Sequence, residues 1–502
     1  MNNRPHISRQ LFANVLGRTW VFIANLVFLP VYLNILGTQG YGIIALFLAV
    51  SGLIGFLDLG LSPTLSRELN DQSRSRQQRL DLLATYERVF ITMSVSIVLL
   101  AVFVPDGIVQ VLLSSGDLES QHVTIALRLL LIAAVVLLLF NFYIAGIIGI
   151  EQQVSGNLTL VSSGIVRSAL VVGPLIWFPD PLVFLAWQLF FLALFTVYTR
   201  WRLYSFVRAD SPLTVSARFD ASLLWGNARF TGAVFFVSIA AAINTQVDKL
   251  IIGKIWGLEA LTPYSLVCTF AQLLVFAVTP ISLTVLPRLV RLVSDERNQA
   301  KGSAEFILTI SHKAMSVIVG VGAAVMMWFG PGIVEIWTAG VIDSDYVEII
   351  LTPLVLGYGL LALSVVPHTA ALAHKNLIAS FYMSGSVILT IPSYWWAISQ
   401  YGPMGGAWVW CVLQMIVVPT YFIWVRFKLH YFEGALLRAV GEWLIPFVLS
   451  SCVCWLLFLI FDHDGSVFLQ FTLVIVAALV STVMSLLAIV RKADLVQLRN
   501  MA

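Results

Sequence analysis

Apolar runs of membrane-spanning length, cut by short polar links, repeat along nearly the whole chain. Cutting at turns and charge clusters predicts about fourteen transmembrane helices, over 11–36, 41–65, 83–104, 123–148, 156–178, 181–199, 229–252, 263–287, 308–330, 348–372, 377–398, 403–425, 442–461 and 466–490. The fold class read from this pattern is an all-α polytopic membrane protein. Its first two spans read as an antiparallel pair around the polar turn Gly37-Thr38-Gln39-Gly40, with Arg18 in one helix and Asp58 in the other. Each charge lies roughly 10 Å inside its helix, so the two sit at similar depth. A charge inside an apolar run requires a partner or a function.

Composition sharpens this picture. Of 502 residues 59% are hydrophobic and 11% charged, a balance that a soluble chain of this length could not keep off its surface. A net charge of +3 gives no reason to expect nucleic acid. The basic residues are one-sided instead. Alternate links hold Arg67, Arg74, Arg76 and Arg79, then Arg200, Arg202, Arg208 and Arg218, then Arg288, Arg291, Arg297 and Lys301, then Arg426, Lys428 and Arg438. The intervening links hold Lys254 and are otherwise acidic, with Asp106, Asp117, Glu119, Asp180, Glu335, Asp343, Asp345, Asp462 and Asp464. Basic residues collect on the cytoplasmic side, so the pattern predicts an even number of spans and two cytoplasmic termini. The first apolar stretch outruns a signal-peptide core, carries Arg18 and lacks a small-x-small cleavage site, so the N-terminus is expected to stay attached. Cys268, Cys411, Cys452 and Cys454 lie in apolar runs and read as buried small hydrophobes, not as a disulfide framework or a metal site. No Walker-type loop is present, so ATP is not the direct energy source, and no cofactor is expected.

The arginine-rich link from Tyr198 to Gly226 divides six spans from the eight that follow. Each half opens alike: a helix, a turn ending in tyrosine (Tyr41, Tyr264), a second helix, a proline (Pro63, Pro287) and then arginine (Arg67, Arg288). Equal helix parity in the halves describes a parallel repeat about an axis along the membrane normal. The domains follow as 1–202, a linker over 203–228, 229–428, and two additional helices with a tail over 429–502.

Three segments carry a family resemblance. FLPVYLNILGTQGYG with GFLDLGLSPTLSREL resembles the opening of the Wzx, or polysaccharide transporter, family of oligosaccharide flippases. NTQVDKLIIGKIWGLEALTPYSLVCTFAQLLVFAVTPISLTVLPRLVRL is similar to the matching second-half segment, and YGPMGGAWVW to a later helix start. The likeness spans roughly residues 8 to 430. It implies a fold shared with the lipid II flippases and the multidrug-and-toxin exporters, two six-helix bundles around a central cavity. It also implies movement of an isoprenoid-diphosphate-linked oligosaccharide from the inner to the outer leaflet of a bacterial inner membrane by alternating access, and no enzymatic step. A proton or sodium gradient is the candidate driving force, and polysaccharide polymerases are candidate partners beside the membrane lipids themselves. Where the family carries an uncharged polar residue such as glutamine this chain has Arg18, so a role for Arg18 rests on physics alone.

Cargo of that kind needs a polar path, because sugar hydroxyls and phosphates lose their water in hydrocarbon. Candidate substrate-binding residues are Arg18, Asn25, Arg167, Asn244, Gln246, Gln272 and Lys313, with Asp58 and Asp248 as ion-coupling or gate residues. Arg18 and Asp58 admit two readings: a buried ion pair pinning helix to helix, or a guanidinium for diphosphate released when Asp58 takes up a cation. Lys249, near the outer end of its helix, is expected to snorkel to the interface. The stretch from Arg67 to Arg88 is expected to lie as a helix on the inner membrane surface. His368 and His374 read as solvated, and Trp395 and Trp396 as an interfacial belt. Two rivals stay open: an ion-coupled exporter of amphiphilic drugs, favoured by an aromatic, acidic cavity, and a membrane polymerase or glycosyltransferase, which would need long extramembrane loops that this chain lacks.

Overall fold

The computed structural model describes residues 7–490 and Asp494, except 59, 71–73, 104–119, 209–217, 294–297, 375–377, 432–435 and 461–466. Within its helices the side chains of 7–25, 56, 101, 120–123, 227–230, 233, 234, 237, 241, 283, 287, 291, 298–301, 378–389, 436–440, 460 and 467–471 are likewise outside the description. The described secondary structure is helical throughout. Eleven described stretches are long and apolar enough to cross a membrane; the expected spans fall on helical segments, with 41–65 and 156–178 each divided between several.

Helix α1 (Ile7–Ile54) contains the first span and most of the second, joined through one non-helical residue, Gly37, at φ 71° and ψ 179°. Nothing would lie within 4 Å of a Cβ there, so the backbone angle alone asks for glycine. The second span is broken where the sequence suggested continuous helix. A 3₁₀ turn, Gly55–Asp58, leads to the separate helix α2 (Leu61–Asn70). The expected surface helix is also corrected: residues 76–88 are the N-terminal part of α3 (Arg76–Phe103), continuous with a span.

There follow α4 (Ser120–Gly149), α5 (Gln153–Gly164), a π-helical turn over Ile165–Ala169, α6 (Val172–Trp177), α7 (Pro181–Arg208) and α8 (Ser222–Ile255). The later helices are α9 (Gly257–Ala271), α10 (Leu273–Val293), α11 (Asn298–Trp337), α12 (Ser344–Ala373), α13 (Ile378–Leu429), α14 (Leu436–Ile460) and α15 (Val467–Ile489). In α13 two further spans meet at Gly402, with φ 62°. Two compact units emerge, Met1–Thr262 and Pro263–Ala502, with the boundary inside α9.

In the first unit α4 packs on α7, α2 on α4, and α1 on α5 and α8. Lipid offers no hydrophobic driving force between helices, so close contact has to come from small residues. Gly149 supplies it on α4, where a Cβ would come within 2.6 Å of the Ser66 backbone. The core joins Leu65, Leu69, Leu80, Leu83, Tyr86, Phe90 and Phe142, with the Phe90 and Phe142 rings 4.3 Å apart. Inside it lies Glu87, only 5% exposed. Its carboxylate accepts from Tyr143 Oη, Arg200 Nε and Tyr204 Oη, each at 2.6 Å, enough donors to offset the desolvation of a buried charge. The N-terminal part of α3 also grips the entrance to α8. Arg218 N donates to Asp81 Oδ1 at 2.7 Å, Asp220 N donates to Thr85 Oγ1 at 2.9 Å, and the Arg88 guanidinium lies 5.7 Å from the Phe219 ring centre. Asp220 caps the helix by accepting from Ser222 N and Oγ, and these bonds hold its carboxyl below the usual range.

In the second unit α12 packs on α10, α11 and α13, and α11 packs on α14 and α15. A Cβ on Gly320 would come within 2.7 Å of Pro446, which marks how closely α11 meets α14. All four cysteines are free; Cys268, Cys411 and Cys454 are buried, whereas Cys452 is exposed on an apolar surface beside Trp328 and Trp455. Among the described residues no three histidine, cysteine or acidic side chains are grouped to hold a metal. His368 is exposed and lies 3.2 Å from Tyr421 Oη, while His374 is half-buried between the Ala370 carbonyl and Tyr431.

Candidate functional site

The fifth span supplies a half-buried cation on unusual backbone. Its π turn takes carbonyls out of the α-helical ladder, and side chains from two other helices meet three of them. Trp187 Nε1 donates to the Val166 carbonyl at 3.0 Å, Gln188 Nε2 to the Arg167 carbonyl at 3.1 Å, and Tyr32 Oη to the Ser168 carbonyl at 2.5 Å. Such turns recur at functional positions. Here the result is a fixed direction for Arg167, whose Nε donates to Gln188 Oε1 at 2.7 Å. Among the described residues Arg167 makes no ion pair, and the side chain that holds it is a neutral amide. Sequence reading singled out Arg167 but not Gln188 or Tyr32, whose partner lies 136 residues away.

Arg18 and Asn25 lie outside the described side chains. Asp58 is placed as a cap: Ser62 N donates to both of its carboxylate oxygens at 3.2 Å and Ser62 Oγ bonds it as well. A carboxylate at the start of α2 meets unpaired N–H groups and the positive end of the helix dipole.

The polar segment 244–249 lies on α8, which packs against the second limb of α1. Gln246 sits on Gly52, where a Cβ would come within 2.9 Å of Nε2. Asn244 Oδ1 is buried without a hydrogen-bond partner among the described residues. Asp248 is 5% exposed and Lys249 7%. The Lys249 ammonium does not reach toward the nearby C-terminal end of the helix; Nζ donates to the Thr245 carbonyl at 3.0 Å and to Gln246 Oε1 at 3.2 Å. Beyond that C-terminal end, Gln39 Nε2 donates to Glu259 Oε1 at 2.7 Å and Thr262 Oγ1 to the Thr38 carbonyl at 2.6 Å. The turn at Gly37 is thereby tied to the start of α9.

In the second unit Gln272, at the break between α9 and α10, donates from Nε2 to Tyr358 Oη at 3.0 Å. Lys313 is 6% exposed and paired with Asp494 at 2.7 Å. Its charge is therefore neutralised within the protein by a residue that a search one helical turn away could not find.

Comparison with known proteins agrees with this architecture. A family model described as "Polysaccharide biosynthesis protein" matches residues 7–293. A Shigella flexneri protein named "Putative O-antigen transporter" is 22% identical over 396 residues, which cover 75% of this chain and 87% of the relative. The fold is similar to that of "Lipid II flippase MurJ, inward closed conformation", with TM-score 0.69 and 14% identity over 96% of this chain and 100% of that one. It is also similar to an inward-facing multidrug resistance MATE family transporter of the MOP superfamily, with TM-score 0.59 and 12% identity over 86% of this chain and 96% of that one.

Proposed function

The chain belongs to the polysaccharide biosynthesis protein family, whose model spans more than half of it, and on that premise we propose that it flips isoprenoid-diphosphate-linked oligosaccharide across a bacterial inner membrane. Its relatives are transporters rather than enzymes, and its many apolar helices make it a multi-pass membrane protein. The cargo moves from the cytoplasmic to the outer leaflet while both termini stay cytoplasmic. Bundles over 1–202 and 229–428 rock about the path, with 429–502 as an addition to the second. A proton or sodium gradient drives the cycle, with Asp58 and Asp248 as its ion-coupling or gate residues, and the delivered unit goes to a polymerising enzyme outside.

The observation that carries this reading is Arg167. A half-buried guanidinium within an apolar span, held by one neutral amide at 2.7 Å and in no ion pair among the described residues, is costly unless an anion visits it. Its fork geometry suits phosphoryl oxygens. The remaining polar groups of the path, Asn244, Gln246 and Gln272, suit sugar hydroxyls.

The test uses cells that lack the protein. An isoprenoid-diphosphate oligosaccharide accumulates in their cytoplasmic leaflet, the intact chain clears it, and Arg167→Gln lowers the clearance rate about tenfold or more, the scale of one charge-assisted hydrogen bond lost. If no such lipid accumulates while sensitivity to amphiphilic drugs rises, the protein is an exporter instead.

A further inference from the structure

Lys249 points the wrong way for an interfacial anchor. In the proposed orientation α8 runs from the inner face at Ser222 to the outer face at Ile255, and Lys249 lies about 9 Å before its outer end. Side chains on a helix lean toward its N-terminus. On this helix that direction is inward, so the lysine stem carries its ammonium away from the outer surface. Nζ accordingly turns back one helical turn to the Thr245 carbonyl at 3.0 Å and Gln246 Oε1 at 3.2 Å. Both are neutral acceptors, and the residue is 7% exposed. This buried ammonium is hydrogen-bonded by a backbone carbonyl and an amide and makes no ion pair among the described residues.

Two further features mark the segment as built for polar cargo. Asn244 Oδ1, just over one turn inward, is a buried acceptor with no hydrogen-bond partner among the described residues. Gln246, which holds the ammonium, is itself braced on Gly52 of α1. It can therefore give up the contact without leaving its place.

We propose that Lys249 is a second phosphoryl-binding residue on the path, toward its outer end. There the diphosphate head of the cargo takes over the contacts that Gln246 and Thr245 make with Nζ. The inference rests on the flippase reading and adds a residue to it. Arg167 and Lys249 then act as separate cationic stations, and Gln246 is a positioning residue that keeps the ammonium poised between visits.

The full chain in phosphatidylcholine nanodiscs tests this with three probes that share a tail: farnesyl diphosphate, farnesyl monophosphate and farnesol. The wild type is expected to bind the diphosphate more tightly than farnesol. Lys249→Gln is expected to lower diphosphate affinity about tenfold and leave farnesol binding unchanged, and Lys249→Arg to restore most of the loss. Gln246→Glu keeps the lysine and almost the same shape, yet supplies an internal carboxylate that competes with phosphate. It too should lower diphosphate affinity selectively, which separates loss of the site from loss of the fold. Diphosphate affinity unchanged in both Lys249→Gln and Gln246→Glu, with Arg167→Gln impaired, overturns the proposal and leaves the flippase reading standing. A wild type that binds all three probes alike overturns both.

Discussion

At the scale of single residues, the charges in the apolar runs have different fates. Glu87 receives hydrogen bonds from three side chains, Tyr143, Arg200 and Tyr204, and Asp58 caps a helix. Lys313 and Asp494 satisfy each other at 2.7 Å. Breaking a buried pair leaves one charge stranded, whereas replacing both partners with apolar residues removes the desolvation cost along with the attraction. Lys313→Met alone is therefore expected to destabilise the protein by about 3 kcal/mol, with Asp494 partly exposed keeping the effect at the low end, and Lys313→Met with Asp494→Leu to recover most of it. Thermal unfolding in detergent measures the stability, and a transport assay on the same two variants separates the roles. Transport that recovers with stability makes Lys313 structural; transport that stays low in the stable double variant makes its charge part of the path. None of these partners was legible in the sequence. Arg167 was visible as an isolated charge, but what orients it comes from Gln188 and Tyr32 on other helices, and hydropathy carries no information about which helices touch. Lys249 was visible too, and was misjudged because distance to the helix end was weighed without the direction in which the side chain leans.

At the scale of elements, span positions were legible because a bilayer leaves the backbone few choices: every N–H and C=O must be paired within the segment, so apolar length and helix length coincide. Interruptions within spans were not legible. The breaks at Gly55–Asp58 and Ile165–Ala169 each hold a charged residue, which the sequence showed, but the charge alone does not say that the helix breaks there; the second is satisfied by Tyr32, Trp187 and Gln188, on other helices. Gly37 is intermediate, since a turn was expected and a single residue makes it. At φ 71° and ψ 179° it occupies a region that is essentially closed to other residues. Gly37→Ala is expected to cost about 1–3 kcal/mol by unfolding in detergent. The control is Gly226→Ala, in the first turns of α8, with nothing within 4 Å of the added Cβ and no positive φ. It should be neutral or stabilise by about 0.4–1 kcal/mol, through the lower entropy of the unfolded chain. Equal losses for both glycines would show that the bend at Gly37 tolerates an ordinary residue.

At the scale of the whole molecule, the sign of the links is the strongest statement the sequence makes, because one span too many or too few would scramble it. Lys254 is the one basic residue in a set of links that otherwise carries acid, and positive charge is retained on the cytoplasmic side. Two of the predicted spans share one bent helix in α1, and two more in α13. On the parity read from the links, Trp225, 80% exposed at the entrance to α8, is expected to face the cytoplasm, and Val341, 41% exposed between α11 and α12, the outside. In a variant whose four native cysteines are replaced, a membrane-impermeant thiol reagent added to intact spheroplasts should label Val341→Cys and spare Trp225→Cys; inside-out vesicles should reverse the two. Labelling of both positions from one side would remove a crossing between them. The inward lean of Lys249 would then become an outward one, and the second cationic station would lose its physical basis.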